Sequence, residues 1–192
     1  MEAKAELRHA IKERLARMSE TERRVESNVI VRTLDPLLVG KKTIAVYMPY
    51  IDEPNIRPII LQLLKQKNVV CMPKVNGLRM TMHRIRSLDD VGRNHTTNIV
   101  EPIENAPIDE SSIDVVIVPG RAFTQEGIRM GRGNGGYDRW ITLQRKRNPK
   151  TQYIGVCFEC QMLTEIPTEG HDERVDRVIT ASGKFESAES GK

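Results

Sequence analysis

Leu7, Ile11, Leu15 and Met18 recur at steps of three and four, which places them on one face of a helix with a basic opposite face. Ser19 and Glu22 have capping-box spacing, so a second helix is predicted to open there and run through Val25, Val29 and Leu34 until Gly40. Thr43 to Met48 is a short β-branched run and predicts a buried strand, followed by a loop punctuated by Pro49, Pro54 and Asn55. Ile56, Ile59, Ile60, Leu63 and Leu64 predict a helix, Val69 to Met72 a strand, and the alternating LRMTMHRI another strand. Ser87 to Ser112 is rich in Asn, Asp, Pro and Thr and reads as a connecting loop. The cleanest buried strand is DVVIVPG, which starts at Asp114 and stops at Pro119-Gly120. A glycine-rich loop, a helix from Tyr137 to Arg147, a strand over QYIGVCF and a short one from Val175 complete the pattern. Such alternation predicts an α/β fold: a single domain over 1–180, with a mainly parallel central sheet flanked by helices and an N-terminal helical segment. Residues 181–192 are mostly Ser, Gly, Glu and Lys and read as a disordered tail.

Composition narrows the chemistry without deciding it. The 192 residues are 39% hydrophobic and 29% charged, enough for one globular core. A net charge of +4 and a pI near 9.0 favour anionic partners. At 4% aromatic, the chain is poorly supplied for stacking single-stranded nucleic acid. Residues 1–18 are too charged to resemble a signal peptide, and no apolar run approaches the roughly 18 residues of a membrane span. Three cysteines without framework spacing suit a reducing compartment, so the expected location is cytoplasmic.

The informative segment is VPGRAFTQEGIRMGRGNGGYDRW. Gly131, Gly133, Gly135 and Gly136 stand just ahead of a predicted helix, beside Arg129 and Arg132. Glycines that let amides approach an anion, followed by a helix N-terminus, describe a phosphate cradle. Read alone, the same glycines also fit a surface loop that needs turns. The string GRGNGG satisfies the dinucleotide pattern G-x-G-x-x-G, with Glu159 near the place of a ribose-binding carboxylate. That motif must follow its strand directly, however, and here FTQEGIRM intervenes after Val118. No Walker A string is present.

Together the pieces are more specific. Pro119-Gly120-Arg121-Ala122-Phe123, Gly127, Arg129 and Met130, then Gly131-x-Gly133-x-Gly135-x-Tyr137-Asp138, resemble the signature of the 5-formyltetrahydrofolate cyclo-ligase family. Lys4, Leu7 and Arg8 form its K-x-x-L-R, and Tyr47, Met48, Asp52 and Glu53 follow the first strand. Pro73-Lys74, Glu101-Pro102, Gln161, His171-Asp172 and Asp176 then fall in the family's order, so the likeness runs from Lys4 to about Thr180.

The resemblance implies an ATP-dependent enzyme that closes 5-formyltetrahydrofolate to 5,10-methenyltetrahydrofolate with Mg²⁺ as cofactor. It implies that Lys4 and Arg8 hold ATP phosphates, although alone they read as charges on a solvated helix face. Arg129, Met130, Gly131, Arg132, Gly133, Asn134, Gly135, Gly136 and Tyr137 match the nucleotide loop, of which Arg132 to Gly136 also faces the folate. Met48 and Glu53 match substrate-binding positions, and Asp138 and Asp172 the Mg²⁺ ligands. Arg129 and Arg132 are the expected catalytic cations, since phosphoryl transfer needs positioning and charge neutralisation. The expected partners are the two small-molecule substrates, with no nucleic acid, no membrane and a monomeric chain. Two other readings stay open on sequence: a non-catalytic relative that binds a nucleotide or folate, and a basic RNA-binding protein.

The remaining signals are weaker. Cys157 and Cys160 form a C-x-x-C without a second pair for zinc, and read as buried or half-buried thiols. Arg145-Lys146-Arg147 reads as a solvated helix end, and Trp140 as core. One departure stands out. Many members of the family carry two tyrosines before the metal aspartate, whereas this chain has Gly136 followed by Tyr137.

Overall fold

The computed structural model describes residues 2–94, 99–104 and 106–187. Helices α1 (Glu2–Arg17) and α2 (Glu20–Leu38) come first, the second opened by the Ser19/Glu22 capping box. Strand β1 (Thr43–Ala45), helix α3 (Arg57–Lys65), and strands β2 (Val69–Asn76) and β3 (Arg79–Ile85) follow. Next come β4 (Val91–Arg93), β5 (Val100–Pro102), β6 (Val115–Val118), β7 (Ala122–Phe123) and β8 (Arg129–Met130). Helix α4 (Gly136–Arg147) and strands β9 (Gln152–Val156), β10 (Arg177–Ile179) and β11 (Lys184–Glu186) complete the described chain.

The main sheet has seven strands in the order β11-β10-β9-β6-β1-β2-β3, parallel from β10 to β2 and closed at each edge by an antiparallel strand. Its central strands β1, β6 and β9 are buried almost throughout because both faces are covered. Ile44, Val46, Val70, Val115 and Ile117 point to one face, beneath α2 and α3. Ala45, Cys71, Val116 and Val118 point to the other, where Trp140 and Ile141 of α4 pack. Winding runs from β1 to β2 on one side and from β1 to β6 on the other. A crevice therefore opens at the carboxyl ends of β1 and β6, where such sheets bind ligands.

Helix α1 belongs to neither face. Its Ile11 and Leu15 pack with Ala122, Met130, Phe158 and Ile166 in a separate cluster, which brings the start of the helix to that crevice.

Several expectations need correction. The first strand pairs only over β1, with Val46, Tyr47 and Met48 buried but continuing as crevice wall. In α2 the buried face is Ser27, Ile30, Leu34 and Leu38, while Val25 is exposed. The expected loop from Ser87 to Ser112 contains the β4–β5 hairpin, whose strands are too short to leave a periodic signal. The stretch before the glycine-rich loop likewise forms the β7–β8 hairpin. The start of the expected disordered tail is β11, which pairs with β10 and packs Phe185 against the core. An edge strand needs apolar residues on only one face, so its polar composition misled; residues 188–192 lie outside the described residues. Arg145 and Arg147 are not simply solvated, since they pair with Glu173 and Glu110.

Candidate active site

A cavity of about 490 Å³ opens at the crevice. Tyr47 and Met48 from the end of β1, and Pro119 and Gly120 from the end of β6, form its floor. The β2–β3 hairpin supplies an apolar wall through Pro73, Val75, Leu78 and Met80, with Ile99 and Val100 beside it. Lys4, Arg8, Met48, Glu53, Asp138, Asp172 and the whole run from Arg129 to Tyr137 line this same space.

Lys4 precedes Leu7 by three residues and Arg8 precedes Ile11 by three, so both flank the apolar stripe of α1 rather than the solvated face on which they read as lying from sequence. Lys4 is only 8% exposed, and its Nζ donates to Asp172 Oδ2 at 2.5 Å. The Glu169 amide donates to the same oxygen at 2.7 Å. Burial pushes the Asp172 carboxyl up, but the Lys4 ammonium and that amide outweigh it and hold it below its ordinary value. Arg8 Nε donates to the Gly131 carbonyl at 3.0 Å and so ties α1 to the glycine-rich loop.

That loop ends in the N-terminus of α4. Gly133 (φ 110°) and Gly135 (φ 62°) take left-handed conformations that a side chain would strain. Within the described residues the amides of Arg132, Gly133, Asn134 and Gly135 donate no hydrogen bond. Together with the dipole of α4 they present an anion-binding surface. Gly136 is different: its φ is not left-handed, and an added Cβ would meet only the Asn134 side chain, at 3.6 Å. One turn into α4, Asp138 accepts from Arg129 Nη2 at 2.6 Å, with the two side chains 10% and 3% exposed. The Arg129 guanidinium also lies 5.7 Å from the centre of the Tyr137 ring. Burial raises the Tyr47 and Tyr137 phenols well above their ordinary range, so both remain neutral O–H groups.

A second charged cluster forms the opposite wall. Arg132 Nη2 donates to Asp52 Oδ1 and to Glu53 Oε1, each at 2.7 Å, and its guanidinium stacks 4.4 Å from the Tyr50 ring centre. Arg121 bonds the other oxygen of Asp52. Burial pushes the Asp52 carboxyl up, but the two arginines outweigh it and hold it below its ordinary value. Sequence reasoning gave no role to Tyr50, Asp52 or Arg121. Asp52 and Arg121 were visible as parts of the family pattern, whereas Tyr50 carried no signal.

The donor set suits Mg²⁺. Asp138 uses Oδ1 for Arg129 and for the Glu173 amide, and Asp172 uses Oδ2 for Lys4 and the Glu169 amide. Each carboxylate thus keeps one oxygen with no hydrogen bond among the described residues. No group of three or more His, Cys, Asp or Glu side chains among those residues makes a closed metal cage. Mg²⁺ asks for less, because it takes one or two carboxylates and completes its shell with phosphate and water oxygens.

Known proteins resemble this chain over most of its length. The chain is 28% identical over 188 residues to the 5-formyltetrahydrofolate cyclo-ligase of Mus musculus, covering 92% of this chain and 93% of that one. It is 31% identical over 159 residues to the enzyme of that name from Escherichia coli K12, covering 79% and 84%. The structure of Aquifex aeolicus 5,10-methenyltetrahydrofolate synthetase superposes with a TM-score of 0.82 at 30% identity, over 98% of this chain and 95% of that one. The Mycoplasma pneumoniae 5,10-methenyltetrahydrofolate synthetase shares the fold, with a TM-score of 0.75 at 21% identity over 93% and 98%. The sequence model of one family matches residues 1–181, nearly the whole chain, and on that match this protein belongs to the 5-formyltetrahydrofolate cyclo-ligase family.

Proposed function

We propose that this protein closes 5-formyltetrahydrofolate to 5,10-methenyltetrahydrofolate at the expense of ATP, with Mg²⁺ as cofactor. The observation that carries this reading is convergence. Helix α1, the glycine-rich loop, Asp138, Asp172 and the apolar hairpin wall all line one cavity.

The formyl oxygen of the substrate is a poor leaving group and must be activated. Its attack on the γ-phosphorus forms an O–P bond while the bond to ADP breaks, giving an iminophosphate-like species. The folate N10 then attacks the activated carbon and loses its proton, and phosphate departs as the ring closes. Little covalent help is needed from the protein. Lys4 and Arg8 hold the ATP phosphates, and the free loop amides from Arg132 to Gly135 cradle them. Arg129 and Arg132 neutralise the oxygens of the transferred group. Met48 and Glu53 hold the folate, whose ring system fits the apolar side of Val75, Leu78, Ile99 and Val100. Asp138 and Asp172 would hold Mg²⁺ through their unbonded oxygens, where the ion supplies charge neutralisation and orientation to the phosphates.

The chain is read as a monomer acting on small molecules in the cytoplasm. Its three unpaired cysteines suit a reducing compartment, and no described helix is long and apolar enough to cross a membrane. Purified protein given 5-formyltetrahydrofolate, ATP and Mg²⁺ should form methenyltetrahydrofolate, read by absorbance, with ADP and phosphate in equal amounts. EDTA should stop the reaction and added Mg²⁺ restore it. Folded, Mg²⁺-loaded protein that forms no product would sink the reading.

A further inference from the structure

We infer that Asp52 is a positioning residue which, backed by Arg121, keeps Arg132 against the cavity wall when Glu53 turns to the substrate. The inference rests on the proposed function for its catalytic consequence, but the geometry stands by itself. Arg132 is 36% exposed along its side chain, so packing alone does not hold it, in contrast to Arg129 at 3%. What holds it is a pair of carboxylates and one ring face. Both oxygens of Glu53 are engaged: Oε1 receives both Arg132 Nε (3.2 Å) and Nη2 (2.7 Å), and Oε2 receives the Tyr50 amide at 3.0 Å. A ligand N–H that takes Oε1 must displace a donor there, because both acceptor positions of that oxygen are filled by Arg132. The Arg132 side chain is the displaceable one, because the amide belongs to the turn that carries Glu53.

Asp52 does not line the cavity, so a substrate does not compete for it. Its two oxygens receive two different arginines, Arg132 at Oδ1 and Arg121 at Oδ2. Arg121 is itself fixed at the end of β6. Its amide donates to the Met130 carbonyl at 2.6 Å, and its own carbonyl receives Nε2 of the buried Gln161 at 3.0 Å. A brace thus runs from the rigid sheet through Arg121 and Asp52 to Arg132. It leaves Arg132 one charge-assisted bond and the Tyr50 face after Glu53 is taken.

Two measurements test the brace. The first is the ¹⁵Nη–¹Hη signal of Arg132 in the free protein, identified by its absence in Arg132→Lys, because Nη2 is the nitrogen that reaches Asp52. It should exchange slowly in wild type and broaden or vanish in Asp52→Asn. The second is a double-mutant cycle on kcat/KM for 5-formyltetrahydrofolate. Asp52→Asn should lower it about tenfold, as expected for one lost charge-assisted bond. Asp52→Glu should recover part of that loss, and Arg121→Gln should reproduce its direction. On an Arg132→Lys background Asp52→Asn should cost less than about twofold, because both act through one contact. An equal loss on both backgrounds, or an unchanged Arg132 signal in Asp52→Asn, overturns the inference. If Asp52→Asn does not fold, Arg121→Gln carries both measurements with the same criteria. A wild-type protein without activity would refute the proposed function alone, since the Arg132 signal still decides the brace.

Discussion

The two charged ends of the cavity solve the same problem in opposite ways. At the α1 end, Lys4 meets Asp172 at 2.5 Å, with Glu169 farther off at 3.9 Å, and Arg129 meets Asp138, in pairs that are mostly buried. At the wall, Asp52 and Glu53 share Arg121 and Arg132 in a network that is partly open to water. The difference lies in which oxygens remain. In the paired arrangement each carboxylate keeps one oxygen unbonded among the described residues, whereas all four oxygens at the wall are taken. The first end is therefore equipped to receive a cation, and the second to hold an arginine. Proximity to the cavity does not separate these roles, because Glu53 and Asp138 both line it.

The largest effect should come from the paired end. Asp172→Asn is expected to lower kcat roughly a hundredfold or more, with recovery at high Mg²⁺, through loss of charge where the transferred group is stabilised. Asp138→Asn should lose as much activity and also destabilise the fold by roughly 3–5 kcal/mol, because it leaves the buried Arg129 charge unpaired. Steady-state assays with denaturant titration separate the two. Full activity of both variants at limiting Mg²⁺ would break the comparison.

Removal of residues 1–8 should raise the KM for ATP by about tenfold or more, since the proposed function gives Lys4 and Arg8 one charge-assisted contact each. The KM for the folate should move less. A shift confined to the folate would place α1 at the wrong end.

Gly136→Tyr sharpens the comparison by adding a ring between the two ends. Gly136 is not left-handed and its Cβ direction is nearly open, so strain is not expected. An aromatic contact contributes roughly 0.5–1.5 kcal/mol, which predicts a two- to tenfold lower KM for 5-formyltetrahydrofolate and little change for ATP. Gly135→Ala is the control: at φ 62° it should impair both substrates. Parallel loss for both substrates in Gly136→Tyr would refute this reading of the position.

The smallest effect concerns acid. Asp52 is depressed in the folded state, so its contribution to stability is present above its unfolded value of about 3.9 and is lost as pH falls toward the folded value. Stability measured against pH below about 4 should therefore fall less steeply in Asp52→Asn than in wild type. Identical slopes would show that the wall network is not maintained in solution.

Much of this protein was legible before its fold was known. The 3.6-residue stripe of α1, the capping box of α2 and the apolar run of β6 are local patterns, and local physics suffices to place them. The glycine-rich loop was visible because left-handed backbone at Gly133 and Gly135 demands glycine. The hairpins β4–β5 and β7–β8 and the edge strand β11 were not visible, because each is short and gains its stability from partners elsewhere in the chain. Lys4 illustrates the limit. Read from the residues alone, it was a charge on the solvated face of a helix, with no sign that it would be buried. Only the tertiary structure decided that this face docks over the end of the sheet, setting Lys4 against Asp172 at a separation of 168 residues. Asp52 and Arg121 meet across 69 residues for the same reason. A carboxylate's partners depend on which strand ends the winding of the sheet brings together, and a one-dimensional pattern does not carry that information.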